Sequence, residues 1–378
     1  MNLQKGIAPI ILVVMLVLII AGYVFVSKII PSPVEPPNTV ITFSKTVNFI
    51  TDQFTEKDIL KAKELGANII TIWPTHFIRD DEFIFFPERT ARFIVFAHQN
   101  GLQVELRDSF GSETIKDYQR FKANAVKYVA RFAKFAERYK VYRIVPFGEI
   151  DNTLFNNQDK VTEFAKETLQ EMRKHYSGRV GVGIAAPWRD SGYNFEGYDY
   201  LTISAYPQAS TGMDVWLTKS PEINVYNVIA GARKVADRSS ISVLHIGEVG
   251  VVNPDDQKRP DFKSFAMVSK EKEAEFFRKF FEQVSGKVEG VSVFYNSKFD
   301  YLSVNNDPAE NVVKEWFGKP LDKTVPGQSP APSVSKRYDD ALSPFENLGV
   351  ARLAKSDLVA CPRQPARERV FLGFLFVV

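Results

Sequence analysis

Two glutamates close short apolar runs 99 residues apart: Glu149 in Tyr142-Arg-Ile-Val-Pro-Phe-Gly-Glu-Ile-Asp151, and Glu248 in Ile241-Ser-Val-Leu-His-Ile-Gly-Glu-Val-Gly250. Two carboxyls that meet across one bond can divide the work of cleaving it. One, with a raised pKa, protonates the leaving oxygen, while the other stays ionised and attacks carbon; at about 5 Å separation this is the retaining route of glycosidic cleavage. The flanking residues suit that division. Glu149 follows the apolar Pro146-Phe147-Gly148, which favours a neutral acid, and Glu248 follows Gly247, where backbone can crowd a substrate. A single glutamate at a strand end is more often a solvated loop residue or a helix cap, so the pairing carries the reading. Asp151 is a rival acid, but two residues further on it is better placed to cap the next segment or bond a sugar hydroxyl.

Other candidates are weaker. Arg107 and Asp108 end an apolar run and read either as a rim salt bridge or as substrate-binding groups. Trp73 and His76 follow another run, Trp73 offering an apolar plate for a sugar ring, and Trp188 follows a third; simple packing explains each as well. His245 lies inside a run and reads as a satisfied interior imidazole. Gly181-Val-Gly183 lacks the rest of a nucleotide fingerprint.

Positioning two glutamates from distant segments requires a sheet that delivers strand ends to one rim. Eight β-rich runs alternate with amphipathic stretches: 40–43, 67–74, 102–107, 142–147, 180–186, 200–207, 241–246 and 288–295. Helical patterns at 56–65, 88–99, 115–139, 160–175, 225–236, 270–284 and 309–316 lie between or after them. This is the pattern of an α/β (β/α)8 TIM barrel, expected over residues 39–318. Three βα units separate the glutamates, about 33 residues each, against roughly 31 when 250 residues are shared among eight. Glu149 and Glu248 thus fall at equivalent places after the fourth and seventh strands.

Residues 7–26 form an apolar run without a charge, between Lys5 and Lys28, long enough to cross a bilayer as a helix. Residues 1–30 therefore read as an N-terminal signal anchor, a single transmembrane helix. A cleaved signal peptide is the competing reading, but the run is long for one and no small-x-small site follows. Residues 31–38 are a Pro-rich, extended spacer, and residues 319–378 a Pro-rich linker and irregular tail expected to be disordered.

With 48 basic and 45 acidic residues the formal charge is only +3, and no basic block interleaves with aromatics, which argues against a nucleic-acid partner. The lone Cys361 excludes an intramolecular disulfide, and the four histidines lack ligand spacing, so neither metal nor cofactor is expected. The 13% of aromatic residues is ample for a large core, where most will pack, and leaves some to line a cleft and stack on sugars.

The sequence resembles glycoside hydrolase clan A over residues 40–317. Glu64-Leu-Gly-Ala-Asn-Ile-Ile-Thr-Ile-Trp-Pro-Thr75, Phe132-Ala-Lys-Phe-Ala-Glu-Arg-Tyr139 and the glutamate after the fourth strand look most like its endo-mannanase-like branch. The resemblance implies Glu149 as acid/base, Glu248 as nucleophile, Tyr206 as a hydrogen-bond partner of the nucleophile and Tyr295 as an aromatic floor of the catalytic subsite. It implies a carbohydrate substrate, a monomeric catalytic domain and, with the anchor, a single-pass membrane protein whose barrel is extracytoplasmic. One departure is Gly148, where the family usually has an Asn that contacts the sugar; a catalytically impaired glycan-binding barrel is the alternative.

Overall fold

In the computed structural model, eight parallel strands close into a barrel. The described residues are 15, 31–49, 54–74, 76–79, 82–85, 87–108, 115–154, 157–185, 192–207, 224–251, 268–295, 304 and 308–319. In chain order the elements are β1 (Ser44–Phe49), α1 (Glu56–Glu64), β2 (Ile69–Ile72), β3 (His76–Arg79), β4 (Glu82–Phe85), α2 (Pro87–Gln99), β5 (Gln103–Arg107), α3 (Tyr118–Arg138), β6 (Arg143–Val145), α4 (Ile150–Thr153), α5 (Gln158–Arg173), β7 (Arg179–Ala185), β8 (Tyr200–Ser204), α6 (Val225–Arg238), β9 (Leu244–Val249), α7 (Lys270–Val284), β10 (Gly290–Phe294) and α8 (Pro308–Gly318). β1 pairs with both β2 and β10 and closes the ring, while β3 and β4 form a separate antiparallel hairpin. Strands four and seven of the barrel are β6 and β9.

The helices begin where side chains can satisfy their first amides. Asp117, Asn157, Asn224 and Ser269 each accept from a backbone N–H in the first turn of α3, α5, α6 and α7, and Thr55 with Asp58 forms a capping box on α1. The apolar faces of these helices meet the outward side chains of the strands, such as Val47, Phe49, Ile70, Leu106, Ile144 and Ile246, in one continuous layer. The other face of each strand lines a polar barrel interior: Thr46, Asn48, Thr71, Glu105, Arg107, Arg143, Thr202 and His245 are all buried.

That polar lining corrects two expectations. The first strand is Ser44–Phe49, not residues 40–43, because its inward Ser44, Thr46 and Asn48 interrupt the apolar run that marks a buried strand. Val40 is instead 87% exposed. β6 stops at Val145, so Glu149 does not end a strand; it is the N-cap of the single-turn α4.

The proposed anchor apart from Met15, the tail beyond Lys319, Trp188 and Cys361 lie outside the described residues. Among the described residues no helix is long and apolar enough to cross a membrane. The spacer is tied to the barrel. Its carbonyls at Pro31, Val34 and Pro37 are met by Tyr139, His98 and Gln103, and Glu35 pairs with Lys140.

Candidate active site

The rim formed by the carboxyl ends of the strands holds both glutamates. Glu248 reaches the interior through an irregularity in β9. His245 and Ile246 pair in register with Thr202 and Ile203 of β8, and then Ser204 pairs with Glu248, leaving Gly247 as the extra residue of a bulge. Without it the alternation would turn Glu248 outward. Only glycine fits there, because a Cβ would collide with Thr202 Oγ1 and the Arg107 guanidinium. Asn48 fastens the bulge by donating to the Gly247 carbonyl at 2.7 Å.

Glu149 arrives by a different route. After β6 the chain turns tightly against its neighbours: the Gly148 N–H donates to the Asp108 carbonyl and Gly183 N–H to that of Phe147. A Cβ on Gly183 would strike the Gly148 carbonyl, and one on Gly181 the Tyr200 ring, so the Gly-Val-Gly pattern makes room inside the barrel. The Glu149 carboxyl then accepts from Asn152 at 2.9 Å and from the Ser204 hydroxyl. Ser204 is the register partner of Glu248, which brings the two acids to one place.

Both acids are buried, at 4% and 2% exposure. Burial raises the Glu149 pKa against the bonds from Ser204 and Asn152 and the charge of Arg107. Burial and then the charge of Glu149 push Glu248 up to about 7, opposed by Arg107 and by Tyr206, whose hydroxyl donates to Glu248 Oε2 at 2.8 Å. The pair therefore retains a proton well above the ordinary carboxylate range. Asp151 is also pushed up to about 7, by burial and then Glu149, but it is occupied as a strut: it accepts from the Ala185 N–H at 2.9 Å and ties α4 to the end of β7.

Beneath the acids lies an ion network. Arg107 donates to Glu105 at 2.8 Å and to Thr202 at 3.0 Å, and its Nη1 stands 3.6 Å from Glu248. Glu105 pairs on its other oxygen with Arg143, which donates in turn to Ser44 and His245. Burial alone would raise the Glu105 pKa, but the two guanidiniums hold it below the usual range. His245 is kept neutral by burial and the surrounding arginines and accepts from Arg143, the satisfied imidazole expected. Arg107 is thus an interior partner of Glu248, not a rim group.

Tyr206 touches Glu248 as described, and its ring stacks on Phe294 at 6.3 Å. Trp73 continues the inward alternation after Thr71, and its indole N–H is buried with no partner among the described residues. Tyr295 does not floor the site. Its register places it on the outward face one residue past Phe294, where burial and then the charges of Glu310 and Asp58 raise its pKa. His76 belongs to the β3–β4 hairpin.

No family model matches the chain, and no curated protein does. The barrel is similar to that of GH113 β-mannanases. A GH113 β-1,4-mannanase solved as a complex aligns at 15% identity and a TM-score of 0.58, covering 73% of this chain and 99% of that one. AaManA from Alicyclobacillus acidocaldarius, in complex with ManMIm, aligns at 17% and 0.57, covering 73% and 97%. Cellulose synthase subunit Z from Clostridioides difficile aligns at 13% and 0.53, covering 73% and 100%. At such identities the likeness establishes the (β/α)8 fold.

Sequence reading missed Glu105, Arg143, Ser204, Asn152 and Phe294. A usable signal existed for the first: Glu105 and Arg107 stand two apart in a strand and so share a face. Among the described residues there is no group of three or more His, Cys, Asp or Glu disposed to hold a metal ion.

Proposed function

We propose that this chain is a retaining glycoside hydrolase that cleaves a β-linked poly- or oligosaccharide, held at a membrane by residues 7–26 with its barrel extracytoplasmic. The observation that carries the catalytic reading is the asymmetric surroundings of two acids in one buried cluster: Arg107 and Tyr206 attend Glu248, while Glu149 has only neutral donors. The Arg107 charge and the Tyr206 hydroxyl oppose the push that burial and Glu149 exert on Glu248, and on that ground we assign the proton the coupled pair retains to Glu149.

The chemistry follows from that distribution. The Glu248 carboxylate attacks the anomeric carbon as the bond to the leaving sugar breaks and the Glu149 proton passes to the departing oxygen. Glu149, now ionised, takes a proton from water, whose oxygen displaces Glu248 from the same carbon. The Trp73 N–H supplies a donor for a sugar hydroxyl, and Asn152 supplies an amide beside Glu149 where Gly148 has no side chain. The similarity to GH113 β-mannanases makes β-mannan the first polymer to try.

The test is a panel of fluorogenic β-glycosides and β-mannan oligosaccharides with Glu149→Gln and Glu248→Gln. Turnover is expected to fall by orders of magnitude in both while the circular dichroism spectrum is unchanged. Azide should rescue Glu248→Gly and give a glycosyl azide of inverted configuration. Retained activity in both Gln variants rules out the mechanism. Gly148 favours a second reading, a glycan-binding barrel without turnover. It predicts sugar-dependent thermal stabilisation with no labelling of Glu248 by a mechanism-based fluoro-sugar.

A further inference from the structure

The spacer before the barrel would allow free tumbling if it were a loose tether, since 13 residues from 27 to 39 reach about 45 Å when extended. It is not loose. Tyr139 Oη donates to the Pro31 carbonyl at 3.1 Å, Lys140 pairs with Glu35, the neutral His98 ring donates to the Val34 carbonyl at 3.3 Å, and Gln103 Nε2 donates to that of Pro37 at 2.6 Å. Val34 also packs on the core. Tyr139 and Lys140 follow α3, His98 lies in the last turn of α2, and Gln103 begins β5, so all four anchor points lie on the face formed by the amino ends of the strands.

Two consequences follow. Only four residues separate Pro31 from Val26, the end of the apolar run, and five steps of chain reach at most about 18 Å, which bounds the distance from this face to it. The mouth with Glu149 and Glu248 lies on the opposite face, a further strand length of roughly 17–20 Å away. The near face also carries apolar groups suited to an interface. Val40 is 87% exposed. Half-buried Phe43 and Trp316 border a small apolar hollow whose floor is the buried Phe281, Val284 and Phe317, and the Lys319 ammonium sits 4.3 Å over the Trp316 ring. A Trp with a neighbouring Lys is the pairing that settles at the headgroup level of a bilayer.

We propose that the amino-end face of the barrel lies against the lipid bilayer that receives residues 7–26, with Val40, Phe43 and Trp316 at the headgroups and the catalytic mouth turned away from the membrane. The proposal rests on the membrane-anchor reading above, though not on the glycosidase chemistry. Its occupant is lipid because the docked spacer leads the anchor to this face. A rigid outward-facing mouth would reach long polymers outside the cell and leave membrane-bound glycans beyond reach.

The full chain in phosphatidylcholine nanodiscs, carrying Cys361→Ser, is labelled with an environment-sensitive fluorophore at Val40→Cys or at Glu271→Cys, an exposed position in the first turn of α7 on the mouth side. Headgroup-nitroxide lipid should quench the Val40 label several-fold more than the Glu271 label. Equal quenching overturns the proposal, as does a Val40 label that neither lipid nor aqueous iodide reaches, which indicates a second copy on this face. A Val40 label unquenched in a chain that resists carbonate extraction from membranes defeats the orientation alone. Release by carbonate defeats the anchor reading with it.

Discussion

Glu105→Gln isolates what the buried ion network contributes. Glu105 is fully buried between Arg107 and Arg143, with Thr71 and Tyr200 completing its oxygens. The amide keeps the shape but removes the charge, leaving two guanidiniums in the barrel without compensation from this position. Breaking a buried pair in this way costs about 3 to 5 kcal/mol. Unfolding entropy near 2.1 cal/mol/K per residue, over a barrel of roughly 275 residues, is about 0.6 kcal/mol per degree. The melting temperature should therefore fall by roughly 5 to 8 °C in scanning calorimetry. Function should fall with it, because Arg107 is held toward Glu248 by two nitrogens on Glu105. A double-mutant cycle with Arg143→Met should show coupling of about 0.5 kcal/mol or more, as expected for residues in contact. A loss under about 1 kcal/mol for Glu105→Gln, or additive changes in the cycle, would refute the reasoning and mean that the interior solvates these charges.

Tyr206→Phe removes a donor from the ionised Glu248, so the acid limb of the kcat/KM profile should move to higher pH and activity fall roughly 10- to 100-fold, the worth of a hydrogen bond to a charged group. Gly247→Ala forces a Cβ into Arg107 and Thr202; denaturant titration should show a loss of about 1 to 3 kcal/mol together with loss of turnover. Glu248→Gln should reverse a pH trend. The coupled acids retain a proton that the unfolded carboxyls release near pH 4.5, burial and their mutual charge pushing the folded titration up to about 7; this favours the folded state below pH 4.5, and the advantage is lost as pH rises toward 7. The Gln variant should thus gain on the parent between pH 5 and 8, and parallel stability curves would contradict the shift.

Helices were legible because their apolar faces recur at helical spacing and their ends carry capping chemistry; α7 runs over 270–284 as its pattern predicts. Strands were legible where both faces are apolar enough to stand out, as in β2 and β8. β1 was misplaced because its inward face is Ser44, Thr46 and Asn48, and charged residues such as Glu105 and Arg143 in a strand look like positions turned toward water. They are inside because each finds a partner from another strand, information that a single segment does not contain. The bulge at Gly247 was hidden for the same reason: the sequence names the glycine but not the Thr202 and Arg107 that require it. Tyr295 shows how small an error suffices, since one residue along a strand exchanges the interior for the helix layer.

An apolar barrel interior would be the simpler way to fill the space, and burying ion pairs is a poor way to gain stability. Their placement explains why they are present. Ser44 and His245 hold Arg143, Arg143 holds Glu105, Glu105 holds Arg107, and Arg107 faces Glu248, a chain that begins at the amino ends of the strands and finishes at the mouth. Each link joins buried side chains carried by strands, so Glu248 is aimed by the barrel framework. The same logic places the bulge: a β9 of regular register would present Gly247, not a carboxyl, to Arg107. The local irregularity and the costly interior are thus two parts of one device that holds two carboxyls in different surroundings at the same mouth.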